Sequence, residues 1–339
     1  MTRRALFFML GSLVVASALL FSFHAEPTDK EGGELVVRIS HFRPSIPATV
    51  QKARGSLERR LAQLGAKVQW VEFKVTPDSA LAATSGSVDF MVGGVEGGLS
   101  TLTLDVPAKI LVSGPHGEHR TGWYTALLVR ENSPIKTLAD LRGKKIGVSR
   151  GGFSEAVLAL AVRKGGLEYP KDVEPVYLGS PDSQAAYLQG LVDAVLTLDP
   201  YVVQIQKEIP SRILTDNEAL GYPTVWAVLV LEKFAEKNPK IVQAVTEEFL
   251  AIGPWIETHR EETAESLAQV IGFDNAAWNT TLGRASYVLE VPTEKSLVDV
   301  QSVADRIFEL GVLRKRINAT HHVWGPAVQT GALGAVWVE

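Results

Sequence analysis

From residue 35 onward, short apolar runs rich in β-branched residues alternate with segments of helical period, and this rhythm limits the fold more than any other feature. Strands are predicted over 35–39, 68–73, 88–92 and 110–112, with helices over 49–64 and 77–85 and a helical turn over 99–104. Such spacing predicts parallel βαβ units. After a strand over 124–129 the rhythm restarts, with helices over 138–141, 154–164, 183–189 and 200–206 and strands over 145–148, 173–178 and 194–198. An apolar run over 223–231 reads as a strand crossing back. Everything after it is helical, over 239–255, 262–271, 275–282 and 294–310, so these helices must cover a sheet that already exists. The expected class is α/β with two lobes, each built on a sheet and joined by two crossings near residues 125 and 228. Lobe one is expected to be discontinuous, 35–125 plus 229–325, with the helical C-terminal region packed on it; lobe two is 126–228, and 326–339 is a tail. A chain of 339 residues is long enough for two cores.

Composition removes whole classes of chemistry. The chain has no cysteine, which excludes disulfide scaffolds, thiolate zinc sites, iron–sulfur clusters and cysteine nucleophiles. Its 34 basic and 38 acidic residues argue against a nucleic-acid partner, which calls for a basic stripe. Arg3 and Arg4 precede 19 uncharged residues, 5–23, the pattern of a secretory signal. The same stretch would make about 28 Å of helix, near the hydrocarbon thickness of about 30 Å, and Phe23 spoils the small-residue cleavage pattern ahead of Ala25. Residues 1–25 are therefore either a cleaved signal or a retained single-span anchor, and 26–34 is a polar linker. Either way the protein is expected to be exported, to the periplasm or another extracytoplasmic space. Loss of 1–25 takes two arginines and no acid, leaving a net charge of −6.

Enzyme signatures are missing: there is no G-x-S-x-G, no G-x-x-x-x-G-K-[ST] and no H-E-x-x-H. The cluster Gly93-Gly94-Val95-Glu96-Gly97-Gly98 lacks dinucleotide spacing and reads as a strand-to-helix turn that either serves the backbone alone or lines a ligand cleft. Glu96 there is either an acid–base group or a first-turn acid favoured by the helix dipole. His116 and His119 read as a solvated loop, with a cleft-facing loop or a metal pair as alternatives; His321 and His322 read as a surface pair. Trp255, Trp278 and Trp324 read as core or lid packing. More informative is Val148-Ser149-Arg150-Gly151-Gly152-Phe153-Ser154, a strand running through glycines into a helix. Its backbone N–H groups converge on one spot where a small anion can replace water, or Ser149 or Ser154 merely caps the helix. Ser40-His41-Phe42-Arg43-Pro44 closes the first strand at its carboxyl end, where open α/β sheets take ligands, and Arg43 could pair there with an anion.

Three stretches carry a family resemblance. Residues 133–148 (SPIKTLADLRGKKIGV), 176–201 (from VYLGSPD through GLVDA to DPY) and 82–90 (AATSGSVDF) resemble segments of the periplasmic substrate-binding proteins of ABC importers, in the aliphatic sulfonate, taurine and nitrate group. With the helical C-terminal region the likeness spans about 35–325. It departs in two places: Leu198 stands where many members have an aromatic residue before Asp-Pro-Tyr, and Gly93-Gly94-Val95-Glu96 stands where a GD-x-P loop is common.

The resemblance implies a type II-like two-lobe fold whose cleft closes on a ligand. It implies a receptor without catalysis, cofactor or metal, expected to act as a monomer, that hands a small organic anion such as an aliphatic sulfonate, sulfate ester or taurine to a membrane permease. By motif the ligand residues map onto Ser40, His41, Phe42 and Arg43, Gly94 and Val95, Gly152, Phe153 and Ser154, Asp199, and Thr224 and Trp226. The alternatives are an enzyme on the same fold, of the pyrimidine-precursor or desulfinase type, and an anchored sensory ectodomain. Absence of cysteine weighs against both enzymes, since the first carries a cysteine-rich motif and the second a cysteine nucleophile.

Overall fold

The β-branched runs ELVVRISHF and AKVQWVEF pair side by side in parallel, Leu35 opposite Ala66 through Phe42 opposite Phe73, and begin the first of two sheets. The structure, a computed structural model, describes residues 30–31, 33–42, 45–74, 76–116 and 124–325. The signal or anchor segment, the 326–339 tail, Arg43, His119 and Arg120 lie outside these residues.

Among the described residues the strands are β1 (Lys30–Glu31), β2 (Glu34–Phe42), β3 (Ala66–Phe73), β4 (Phe90–Gly94), β5 (Ala108–Gly114), β6 (Thr125–Arg130), β7 (Lys145–Val148), β8 (Glu174–Tyr177), β9 (Ala194–Leu198), β10 (Ser211–Asp216) and β11 (Trp226–Leu231). The helices are α1 (Ile46–Arg54), α2 (Ser56–Ala62), α3 (Thr76–Thr84), α4 (Val95–Leu102), α5 (Phe153–Lys164), α6 (Ser180–Leu188), α7 (Tyr201–Glu208), α8 (Glu232–Lys237), α9 (Pro239–Thr258), α10 (Arg260–Ile271), α11 (Asn275–Leu282) and α12 (Glu294–Glu309). The first sheet runs β1-β2-β4-β11-β5 with β3 also on β2; the second runs β10-β6-β9-β7-β8. Parallel pairing holds for β2 with β3 and β4, and for β7 with β8 and β9. The crossing strands are antiparallel to their neighbours: β11 to β4 and β5, and β6 to β9 and β10. Both sheets are therefore mixed.

Several elements differ from the periodicity. The helix expected over 49–64 is two helices, because Gly55 takes a left-handed φ of 63° that ends α1 and starts α2. The glycine cluster 93–98 is the end of β4 and the first turn of α4 rather than a turn between them. Edge strand β10 and helix α8 have no strong apolar period, SRILTD and EKFAEK, and are set by pairing with β6 and by the chain leaving β11.

Helices α1, α2, α9, α10 and α11 pack one face of the first sheet, with Val50, Leu57, Phe249 and Trp278 fully buried among them. Trp278 Nε1 donates to Gly272 O at 2.8 Å. Trp255 lies between Arg54, 4.1 Å above its ring, and the stacked His259 ring. On the opposite face α4 and α12 join a core that continues into the second lobe, taking in Leu99, Val300, Ile307, Val157 and Leu127. The C-terminal helices thus cover the first lobe and, through α12, also reach the second: Arg163 donates to Glu309 O at 2.8 Å. No helix among the described residues is long and apolar enough to cross a membrane.

Where the chain passes between sheets, Asn217 holds both crossings. Its Oδ1 accepts from the N–H groups of Tyr124 and Thr125 at 2.9 and 3.1 Å, and its Nδ2 donates to Tyr222 O at 3.0 Å. The residue is buried.

Two substitutions test this packing. Asn217→Ala orphans two buried N–H groups, each worth roughly 1–3 kcal/mol, so urea unfolding should show a loss of about 2 kcal/mol or more; a loss under about 0.5 kcal/mol contradicts the staple. Gly253→Ala would gain about 1 kcal/mol in an exposed helix. In α9 an added Cβ would overlap Tyr287 O and lie 2.6 Å from Val288 Cα, so the urea midpoint should fall instead of rise.

Candidate functional site

Between the two sheets lies a cavity of about 120 Å³. Four helices begin at its wall. Ser45, Gly94 and Gly152 are the N-cap residues of α1, α4 and α5, Ser180 opens α6, and all four line the space. None of the four N-cap residues, Ser45, Gly94, Gly152 and Gly179, caps its helix through a side chain. Each N-terminus carries roughly half a positive elementary charge, so four pointing at one cavity favour negative charge there.

The strand ends decide this convergence. The carboxyl ends of parallel β2 and β4 lead directly into α1 and α4, while β7 and β8 lead into α5 and α6. Brought to one place, they form the crevice that open α/β sheets use for ligands. Strand β11 enters between β4 and β5 and carries Thr224 and Trp226 to the same wall.

Three of the four helices have an acid of their own in the first turn. Glu155 of α5 is buried; its Oε2 accepts the Gly151 N–H at 2.5 Å and its Oε1 accepts the hydroxyls of Tyr169 and Tyr177 at 2.9 and 2.8 Å. Glu96 of α4 is fully buried, with Oε1 accepting the Tyr222 hydroxyl at 3.0 Å and Oε2 without a partner. Burial pushes its carboxyl up to about 7, against the pull of its own backbone N–H and of Tyr222. Asp182 of α6 is exposed. Helix α1 has no acid in its first turn, and its N-cap Ser45 is buried with an Oγ that finds no partner. A second buried donor without a partner, Trp226 Nε1, belongs to the same cavity. Lys74 adds an exposed ammonium to the wall.

Of the residues singled out from sequence, Phe42, Gly94, Gly152, Phe153, Ser154, Thr224 and Trp226 line the cavity. Ser40, His41, Val95 and Asp199 sit behind the wall. Ser40 Oγ meets Ser79 Oγ at 3.1 Å, and the His41 ring packs edge-on against Trp70. The Val95 N–H is bonded to Val225 O at 2.8 Å. Asp199 is buried and paired with Arg284 at 2.6 Å, where burial raises its carboxyl to about 6 although Arg284 pulls the other way. It ties the end of β9 to the segment after α11. Arg43 lies outside the described residues.

Neither serine expected as a cap plays that part: Gly152 is the N-cap of α5, and Ser149 Oγ donates to Leu178 O at 3.3 Å. His116 is not in a solvated loop; it is buried, with Nε2 3.0 Å from Ser113 Oγ and Nδ1 3.2 Å from Asp299. The contact that buries it comes from α12, 183 residues away, which no local pattern announces.

Ser45, Lys74, Tyr124 and Ser180 are wall residues that sequence reasoning missed. For two of them a signal exists: Ser45-Ile46-Pro47 and Ser180-Pro181 both place proline in a first helical turn.

The chain matches the model of the NMT1/THI5 like family over residues 122–249. It is 28% identical over 330 residues, 95% of this chain and 99% of the other, to a protein of Escherichia coli strain K12 named for aliphatic sulfonates binding. Among solved structures, the periplasmic aliphatic sulphonate binding protein SsuA from Escherichia coli superposes with a TM-score of 0.71 at 28% identity, covering 85% of this chain and 97% of that one. The alkanesulfonate-binding protein SsuA from Xanthomonas axonopodis pv. citri, bound to MOPS, gives 0.75 at 26% identity, covering 85% and 98%.

The orphaned Ser45 hydroxyl has a direct consequence for stability. Removing an N-cap serine usually costs about 1 kcal/mol, but here no capping bond is lost. Ser45→Ala should leave the urea stability of the ligand-free protein within about 0.5 kcal/mol of the parent or raise it, and a loss of 1 kcal/mol or more would show that Oγ is bonded in solution.

Proposed function

We propose that this chain, which belongs to the substrate-binding proteins of ABC importers in the aliphatic sulfonate, taurine and nitrate group, captures a small alkanesulfonate in the cavity between its lobes. One observation carries the reading: four helix N-termini line a single cavity together with Ser45 and Trp226, whose Oγ and Nε1 are buried donors without partners. A sulfonate presents three acceptor oxygens and one negative charge, and it stays ionised throughout the physiological range. It therefore needs fixed donors and no proton from a general acid. The anion sits toward α1, the N-terminus without an acid of its own, and takes the bonds that Ser45 and Trp226 leave open. Lys74 on the cavity wall adds positive charge.

Phe42, Phe153, Tyr124 and Leu198 supply the apolar wall against which the organic part packs, at about 25 cal/mol per Å² of apolar surface buried. Leu198 occupies the position where many relatives of this group have an aromatic residue, which favours an aliphatic over a flat ligand. Hinged closure of the lobes follows binding, as is usual for two-lobe receptors. The ligand then passes unaltered to a membrane permease, the protein acts as a monomer in an extracytoplasmic space, and residues 1–25 direct it there. The absence of cysteine supports binding without turnover, since a desulfinase of this fold needs that nucleophile.

Isothermal titration with propane-1-sulfonate, taurine, a sulfate ester, nitrate and a hydroxymethylpyrimidine tests the ligand class. Propane-1-sulfonate should bind tighter than nitrate and the pyrimidine and be recovered unchanged. Ser45→Ala should weaken it about 10- to 150-fold, the worth of one hydrogen bond to a charged group. Unchanged affinity in that variant, or appearance of sulfite, overturns the reading.

A further inference from the structure

Glu96 is the fully buried acid of the cleft, with Oε1 bonded to Tyr222 and Oε2 without a partner. Its neighbour Gly94 lines the cavity, and a Cβ on Gly94 would lie 2.9 Å from Glu96 Oε2. The carboxylate therefore lies within a side chain's reach of a residue on the cavity wall. On the other side the carboxyl bonds to Tyr222, whose ring packs edge-on against the cavity residue Phe153 at 5.5 Å.

Among the described residues it makes no ion pair. Strands β4 and β11, which flank α4, contain no charged residue, and α3 contributes only the exposed Asp78. From α5, Glu155 is held by Gly151, Tyr169 and Tyr177. From α12, Arg306 lies over the Tyr222 ring, 5.6 Å from its centroid, and donates to Gly221 O, Asp305 bonds Gln301, and Asp299 bonds His116.

We infer that Glu96 couples anion capture to proton uptake, so that the bound anion and an ionised Glu96 disfavour one another and binding draws a proton onto Glu96. This rests on the anion reading above and adds the residue that makes the affinity depend on pH. The sign is fixed by electrostatics: an anion in the cavity that Gly94 lines disfavours the charged carboxylate, so its proton affinity is higher in the complex than in the free protein. Burial already holds the free carboxyl at about 7, which places the dependence across neutral pH. If the anion raises that value by one further unit, affinity drops about sevenfold from pH 6 to pH 8.5 and binding takes up about half a proton at pH 7.5. The sulfonate itself does not titrate in this range.

The test is calorimetric titration of the full exported chain with propane-1-sulfonate at pH 6, 7.5 and 8.5, in pairs of non-sulfonate buffers that differ in ionisation enthalpy. The parent should show the sevenfold loss and the proton uptake. Glu96→Gln keeps an acceptor for Tyr222; it should bind at all three pH values with the parent's pH 6 affinity and take up no proton. Tyr222→Phe, which removes a bond favouring the charged form, should move the transition to higher pH, and it reads the same coupling should Glu96→Gln fail to fold. Binding that is flat with pH and free of proton uptake in the parent overturns this inference alone. Undiminished pH dependence in Glu96→Gln also overturns it. No binding heat at pH 6 in any variant overturns the sulfonate reading beneath it.

Discussion

Strand β11 has to return through the gap between β4 and β5 and hydrogen-bond to both, antiparallel in each case. The first sheet is therefore complete only after the chain has built the second, whose strands come from residues between β5 and β11. Both passages run close together, and the Asn217 amide bonds the backbone of each. That closeness gives the molecule its cleft: the ends of β2, β4, β7 and β8 face each other across the crossings, and β11 delivers Thr224 and Trp226 into the same space. A single amide side chain on two buried backbone N–H groups is a narrow support for the two crossings.

Electrostatics then grade the four helix ends that converge on the cleft. A carboxylate in the first turn offsets the dipole of its own helix. Glu155 does so within a bonded cluster, whereas Glu96 is left with one unpartnered oxygen. Only α1 meets the cavity without an acid in its first turn, and it brings a buried hydroxyl whose bonding capacity is unused. Leaving such a group unpaired costs free energy in the empty protein, and that cost is recovered when an acceptor arrives. On the sulfonate reading, the overall negative charge of the chain offers an approaching anion little long-range attraction, and selectivity is assigned to these short-range donors.

Most of the fold was readable from the periodicity because the strands are buried and β-branched: 194–198 and 145–148 appear where the pattern places them, as does the helix 275–282. What the pattern could not supply is the partner of each strand. The antiparallel setting of β11 and the edge position of β10 depend on contacts over 80 residues or more, as between Ser211 and Arg130 or Trp226 and Gly94. The site divides in the same way. Gly152 to Ser154 could be found because a strand, glycines and a helix follow one another in sequence; Ser45 gives only the weaker sign of a proline two residues on. The seclusion of Asp199 is invisible locally, since the Arg284 that pairs with it lies 85 residues further along.

The central claim is that the anion lies at the α1 end of the cleft, within bonding distance of Ser45 Oγ and Trp226 Nε1. A crystal structure with 2-bromoethanesulfonate measures this directly, because the bromine gives an anomalous peak at the organic end of the ligand and fixes its direction. The account predicts sulfonate oxygens about 2.7–3.2 Å from Ser45 Oγ and Trp226 Nε1, with the bromine against Phe153 and Leu198. A sulfonate bound away from Ser45 and Trp226, or the reverse orientation with bromine toward α1, would contradict it.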